Sequence, residues 1–441
     1  MTSTSNVQNS VNGRIVIVGA SLAGLRAAEA VRKEGFTGQL TVIGDEPHEP
    51  YDRPPLSKQV LEGWVPADRT ALPRQRHLLD DVEWQLGVSA TGLDMVNKRV
   101  QLADGNTVEF ERLLIATGVR ARPWPKEEER NLDGVFVLRT RDDAERLHKR
   151  LSTKPRRVLV VGGGFMGCEI ASVCRELNLS VTVAERSDTP LVSALGAEIG
   201  EVAAQMQRDY GVDLRCHTTV LGLEGDSDGQ LQRAHLSDGS TLDVDVAVIA
   251  MGSIRNTEWL EHSGLAAGQL GVTCDASCRV FDSHGVVSND VFVAGDVSRF
   301  PHPLYDHQLI TLEHWGHAVE QAEVAAHNMV CTGAEQRPYK EVPSFWSMQF
   351  GVNVKSVGLP TFADEVVVMQ GSTERRRFVA VYGHQGRTVA AVSFDQGRWL
   401  PYYETHVAAA APFPPAAPSY DISKPLQSVP TRFPKSTSSR S

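Results

Sequence analysis

A chain of 441 residues is long enough for about three domains of ordinary size, so a multi-site enzyme fits it better than a small binding module. Hydrophobic residues at 41% and charged ones at 22% are usual for a soluble protein, and no apolar run nears the roughly 20 residues of a membrane helix. A net charge of -10 argues against a nucleic-acid protein, and the polar opening MTSTSNVQNSVNG lacks the regions of a secretory signal, so a cytoplasmic protein with neither membrane nor nucleic-acid partner is expected.

In chain order, the apolar run Ile15–Val18 reads as a buried strand, followed by a glycine turn and a helical pattern through Leu25, Ala28 and Val31. This is how a dinucleotide fold begins. The same grammar returns at Val158–Val161, before Gly162, Gly163 and Gly164 and a helix through Ile170, Val173 and Leu177. One glycine-rich turn is weak; two, each with a strand before and a helix after, imply two bound nucleotides. Beyond them come apolar strands at 246–252 and 291–296 and a helix over 314–328. From about Pro338, strands at 365–369, 378–382 and 389–394 and a short helix read as a small α+β domain, and past Ala411 the chain is rich in proline and serine, an extended or surface-laid tail.

Six cysteines, Cys168, Cys174, Cys216, Cys274, Cys278 and Cys331, show neither a C-x-x-C pair nor metal-ligand spacing, so reduced thiols and no metal are expected. His302, His307, His314 and His317 cluster in sequence, but no carboxylate or thiolate spacing completes a metal site, and packing is the expectation. Redox chemistry must come from a cofactor.

In the first motif, Gly19-Ala-Ser21-Leu22-Ala23-Gly24, backbone amides at the helix start can face a pyrophosphate, and the helix dipole favours its charge. Ser21 stands where glycine usually permits the closest backbone approach. Asp45 and Glu46 follow the second strand, where an acidic side chain can accept both ribose hydroxyls of an adenosine. The second motif, Gly162-Gly-Gly164-Phe165-Met166-Gly167, has all three glycines. Glu185 ends its next strand and favours NADH, since a carboxylate there accepts from the 2'-hydroxyl and repels a 2'-phosphate; adjacent Arg186 partly offsets that repulsion.

With Pro-Tyr-Asp-Arg-Pro-Pro-Leu-Ser-Lys at 50–58, this arrangement resembles the FAD-dependent ferredoxin reductases: putidaredoxin reductase, rubredoxin reductase and the reductase components of aromatic-ring dioxygenases. Ala116-Thr117-Gly118, Leu138-Arg139-Thr140, Ala294-Gly295-Asp296, Leu312-Glu313-His314-Trp315 and Phe345-Trp346-Ser347 carry the likeness over nearly the whole chain. It implies an α/β, glutathione-reductase-like fold: a split FAD domain at 13–122 and 253–336, an NADH domain at 123–252, both Rossmann-type, and a small α+β domain at 337–411 before the tail at 412–441. It implies Asp45 near the FAD ribose, Arg53 and Lys58 along the cofactor, Arg139 on its phosphate side and Asp296 on the ribityl chain. Lys58 is expected by the flavin ring, paired with Glu169, with Trp315 beside the isoalloxazine. Ala90, Ala116, Thr117, Gly118, Gly252, Gly295, Glu313 and His314 complete the implied cofactor contacts.

A lysine near the flavin's reactive edge would stabilise charge gained on reduction, and a carboxylate partner would hold it in place. The implied reaction passes hydride from NADH to FAD, then single electrons to a separate iron-sulfur ferredoxin that serves a haem monooxygenase or a ring-hydroxylating dioxygenase. Disulfide reductases of the same fold carry two cysteines where this chain has Pro54–Ser57 and Lys58; no cysteine precedes Cys168, so a dithiol relay is excluded there. Two departures stand out: Met348 in place of a frequent acidic residue, and Arg255-Asn256 in place of a frequent Pro-Asn pair. A reductase of quinones or dyes, or a peroxide-forming oxidase, stays open as an alternative. So does a signalling flavoprotein resembling apoptosis-inducing factor. A monomer and a homodimer are both compatible with the sequence.

Overall fold

The structure, a computed structural model, describes residues 13–331, 333–416 and 428–430. The polar opening and the rest of the proline- and serine-rich tail lie outside the described residues. The chain forms two units, one of residues 1–52, 71–120 and 254–343, the other of residues 53–70, 121–253 and 344–441.

In the first unit, six strands lie in the order Arg279–Phe281, Val287–Val293, Arg112–Ile115, Ile15–Val18, Leu40–Gly44, Glu83–Leu86. All neighbours pair in parallel except the first two, which are antiparallel. Every residue of Ile15–Val18 and Leu40–Gly44 is buried, as a parallel sheet covered on both faces demands. Helix Leu22–Lys33 packs against helix Trp315–Val330. Both bury alanines, Ala23, Ala27, Ala28 and Ala30 on one and Ala318, Ala322, Ala325 and Ala326 on the other, and short side chains let two helices approach closely. A three-stranded meander at Ala90–Asp94, Arg99–Leu102 and Thr107–Glu109 also belongs to this unit.

The second unit repeats the parallel plan in the order Asp213–Arg215, Val181–Ala184, Val158–Val161, Val246–Ile249, Val135–Val137. Helix Arg141–Ser152 opens on a capping box: Thr140 accepts from the Asp143 amide while the Asp143 carboxylate accepts from the Thr140 amide. The same unit holds an antiparallel sheet, Ser344–Gln349, Val352–Gly358, Arg387–Phe394, Arg377–His384, Glu365–Ser372 and Ser428–Pro430, with helix Leu400–Ala408. The sequence reading missed its first two strands. In Ser344–Gln349 the usual alternation is inverted: Trp346 and Met348 are exposed while Ser347 and Gln349 are buried, so apolar periodicity points the wrong way. Met348, one of the two departures, is therefore a surface residue.

No helix of the described residues is long and apolar enough to cross a membrane.

Candidate functional site

Both units place their marked residues at the carboxyl ends of parallel strands, where open α/β sheets bind ligands. In the first unit Gly19 follows Ile15–Val18, Asp45 and Glu46 follow Leu40–Gly44, Ala116 to Gly118 follow Arg112–Ile115, and Gly295 and Asp296 follow Val287–Val293. These strands are adjacent, and their ends are tied: the Gly19 amide donates to Ile43 (2.7 Å), Ala116 to Val18 (2.7 Å) and Ala294 to Ile115 (3.0 Å). Gly19 has φ 121°, a region costly to residues with a Cβ, and a Cβ there would strike the Ala116 carbonyl. A Cβ on Gly24 would strike the Gly19 carbonyl oxygen, so the turn closes only with glycine.

Ser21 is the N-cap of helix Leu22–Lys33 in extended conformation, and its hydroxyl does not cap the helix. The amides of Leu22, Ala23 and Gly24 have no acceptor inside the helix. An anion fits there. At the equivalent Gly164 a Cβ would meet nothing within 4 Å, so a side chain at this point is compatible with the fold. Gly295 donates its amide to Gln321 (2.9 Å), and a Cβ on it would come 3.1 Å from that of Ala23, which brings the Asp296 loop against the helix start. Ala90 sits on the meander; two residues earlier, Val88 donates to the Gly44 carbonyl (3.0 Å).

His314 is the N-cap and Trp315 the first residue of the second long helix. The Trp315 indole donates to Asp52 (2.9 Å), and Glu313 pairs with Arg255 (3.1 Å), so the second departure from the familiar pattern has a local partner. Burial lowers the His314 imidazole to about 4 and that of His317 to about 3, with a further push on His317 from neighbouring His314, and both are neutral at pH 7. His317 stacks on Phe300 (5.0 Å) and meets the Tyr339 hydroxyl (3.0 Å), and His302 is buried beside Tyr305 and Tyr339; these two histidines pack, while His307 is exposed.

In the second unit Gly162 follows Val158–Val161, Glu185 follows Val181–Ala184, Arg139 follows Val135–Val137 and Gly252 follows Val246–Ile249. The turn is the twin of the first: Gly162 has φ 110°, and a Cβ on Gly167 would strike the Gly162 carbonyl oxygen. Glu185 accepts from the amides of Gly163 (2.6 Å) and Ser187 (2.7 Å), which fixes its carboxylate beside the glycine turn, and Arg186 is exposed. The strand registers reveal an offset. Val161 pairs with Ala184 and Val18 with Ile43, so the first-unit counterpart of Glu185 is Gly44, and the acidic side chains there come later, at Asp45 and Glu46. Glu46 accepts from Tyr51 (2.5 Å) and Asp45 from the Glu46 amide (3.0 Å).

The second unit also brings Lys58 and Glu169 together, Nζ to Oε2 at 2.7 Å, with side chains 14% and 8% exposed. Two hydroxyls complete the carboxylate: Ser57 donates to Oε2 (2.5 Å) and Ser347 to Oε1 (2.7 Å). Both serines lie in segments that carry the family likeness, but at 112 and 178 residues from Glu169 nothing in the sequence pairs them with it. Arg53 donates to the Arg139 carbonyl (2.7 Å), joining two more marked residues. Phe165 packs on Phe345 (4.5 Å), and Met166 is exposed. Near Lys58, burial and the hydrogen bond that the protonated Glu62 carboxyl donates to Glu176 raise Glu62 to about 7. Cys168 and Cys174 are buried, and burial raises the Cys174 thiol to about 12, so neither is a nucleophile.

A family model described as pyridine nucleotide-disulphide oxidoreductase matches residues 13–325, and one described as reductase C-terminal matches residues 344–429. The chain is 34% identical over 385 residues to a protein named probable ferredoxin reductase CtmF of Castellaniella defragrans, covering 87% of this chain and 91% of that one. It is 33% identical over 345 residues to the ferredoxin-NAD(+) reductase subunit of a benzene 1,2-dioxygenase system of Pseudomonas putida, covering 78% and 80%. Among solved structures, the covalent putidaredoxin reductase-putidaredoxin complex matches with a TM-score of 0.84 and 27% identity over 92% of this chain and 94% of that one.

Proposed function

The chain belongs to the pyridine nucleotide-disulphide oxidoreductase family, and from that premise we propose that it is an FAD-dependent NADH:ferredoxin oxidoreductase passing single electrons to a separate iron-sulfur ferredoxin that serves an oxygenase. The observation that carries the proposal is the paired glycine turns joined to a dithiol-free Pro54–Ser57 segment: two nucleotides can bind, while the cysteine relay of disulfide reductases has no residues to run on. Relatives whose printed names include ferredoxin reductase support the nature of the acceptor.

The first unit fits FAD. Its Gly19 turn, the uncapped helix start at Ser21 and the Asp45–Glu46 acids supply a pyrophosphate cradle and a ribose acceptor, and the Gly295–Asp296 loop lies against the same helix start. The second unit suits NADH, with the Glu185 carboxylate held beside the Gly162 turn to accept from a ribose hydroxyl and repel a 2'-phosphate. Bound FAD supplies the redox chemistry, taking two electrons from a nicotinamide and releasing them singly.

The chain's own residues bind, orient and balance charge. Lys58 is proposed as the cation that meets negative charge gained on reduction, and Glu169 holds its ammonium in one place. Ser57 and Ser347 in turn hold Glu169, and the Trp315 indole is fixed by Asp52. His314 and His317, neutral at pH 7, add no positive charge to the first unit.

Purified protein assayed for cytochrome c reduction tests the proposal. Strong stimulation by a two-iron ferredoxin, with NADH well ahead of NADPH, is expected. Fast turnover that ferredoxin leaves unchanged would favour a reductase of small molecules instead.

A further inference from the structure

The C-terminal ends of the two long helices of the first unit meet at three groups that no nucleotide site uses. Glu34 is the C-cap of helix Leu22–Lys33, Cys331 is the C-cap of helix Trp315–Val330, and His327 lies one turn before Cys331 on the same face. His327 Nδ1 is 3.0 Å from Glu34 Oε1 and 3.8 Å from Cys331 Sγ, and the oxygen, nitrogen and sulfur all lie within 4.8 Å of one another. The other ring nitrogen, Nε2, is 3.0 Å from the Glu335 carbonyl, which can only accept, so Nε2 carries a proton. Nδ1 faces the Glu34 carboxylate, so the positive charge that belongs between them is an Nδ1 proton or a shared metal ion.

We infer that Glu34, His327 and Cys331 bind a divalent transition-metal ion, Zn2+ foremost, through a carboxylate oxygen, Nδ1 and the thiolate, with water as the fourth ligand.

Bond lengths of a tetrahedral zinc site require its nitrogen and oxygen ligands to be about 3.4 Å apart and its sulfur and nitrogen ligands about 3.6 Å apart. The 3.0 and 3.8 Å separations are within a few tenths of an ångström of this geometry, and the Glu34 oxygen and Cys331 sulfur, within 4.8 Å of each other, draw to about 3.6 Å as the ion binds. The mixed oxygen, nitrogen and sulfur set selects a borderline metal over Mg2+ or Ca2+. Glu335 gives His327 the outer partner that ligating histidines require. Both helices present their negative dipole ends here, which favours a cation. The side chains of His327 and Glu34 are 17% and 32% exposed, leaving an entry path. On binding, the Cys331 S–H bond breaks and its proton leaves to solvent. Because the thiolate is the ligand, uptake near neutral pH releases protons. Helix Trp315–Val330, of 16 residues, spans about 24 Å, so the ion would fasten helix ends far from the nucleotide turn.

The test uses FAD-loaded protein freed of metal with a chelator and titrated with Zn2+ by calorimetry and against a chromophoric competitor. One Zn2+ per chain is expected, with proton release, and the isosteric C331S should weaken binding at least about 100-fold. E34Q should weaken it as well, and NADH oxidation by both variants should stay at the wild-type rate. Co2+ should give absorption to the red of the flavin band that C331S abolishes. Absence of Zn2+ binding tighter than that of C331S, or binding that C331S and E34Q leave unchanged, would overturn the inference and leave Glu34 and His327 as a plain ion pair.

Discussion

Replacing Glu169 with alanine isolates a charge pair whose side chains are 14% and 8% exposed. At 2.7 Å and an effective dielectric constant of about 20, the attraction between Lys58 and Glu169 is about 6 kcal/mol, much of it offset by the desolvation of both ions. Removing the carboxylate leaves the lysine desolvated without compensation and takes the acceptor from the Ser57 and Ser347 hydroxyls. The expected loss is about 3–5 kcal/mol of unfolding free energy. Lys58→Met combined with Glu169→Leu removes both charges and should lie closer to the wild type than Glu169→Leu or Lys58→Met alone, giving a coupling energy of at least about 2 kcal/mol in that double-mutant cycle. The assay is urea unfolding at a fixed excess of FAD, followed by tryptophan fluorescence and circular dichroism. A loss below about 1 kcal/mol for Glu169→Ala, or strict additivity in the cycle, would refute the reasoning.

Three further outcomes are expected. Glu185→Ala should lower kcat/KM for NADH by about 10- to 100-fold, the worth of hydrogen bonding to a charged acceptor, and narrow the preference over NADPH; steady-state kinetics with both cofactors checks it. Gly24→Ala should abolish retention of FAD, whereas Gly167→Ala should keep the flavin spectrum and lose NADH binding; absorbance and NADH titration separate the two, and the reverse pattern would exchange the nucleotide assignments. Because Glu62 titrates at about 7 in the folded protein and near 4.5 unfolded, the native state binds the extra proton between those values, so its contribution to stability falls as pH rises from about 4.5 through 7. Glu62→Gln, which resembles the protonated form, should match the wild type at pH 4 and exceed it at pH 8 in thermal unfolding; equal stability at both would contradict the carboxyl pair.

The two nucleotide-binding halves were legible because each begins with a fully buried strand, Ile15–Val18 or Val158–Val161, running into a glycine turn that no residue with a Cβ can close. Local pattern ended there. The Lys58–Glu169 pair came from the family resemblance, since nothing in composition or spacing links residues so distant in sequence. Ser57, Ser347 and Asp52 stood in the quoted motifs, but which marked side chain each holds was not legible, for the same reason. The offset between Gly44 and Glu185 required strand register, which glycine spacing does not reveal. Strand Ser344–Gln349 was missed because it buries serine and glutamine and exposes tryptophan and methionine. Glu34 joins His327 and Cys331 only where two helices end together, which cysteine spacing does not reveal.

The central claim, transfer of single electrons from an NADH-reduced flavin to an iron-sulfur protein, is tested most directly by anaerobic stopped-flow absorbance. Protein reduced with one equivalent of NADH is mixed with an oxidised two-iron ferredoxin. The account predicts bleaching of the ferredoxin at a rate that saturates with its concentration, with two ferredoxins reduced per NADH. A reduced flavin that persists while ferredoxins of the two-iron, three-iron and rubredoxin types all stay oxidised would contradict it.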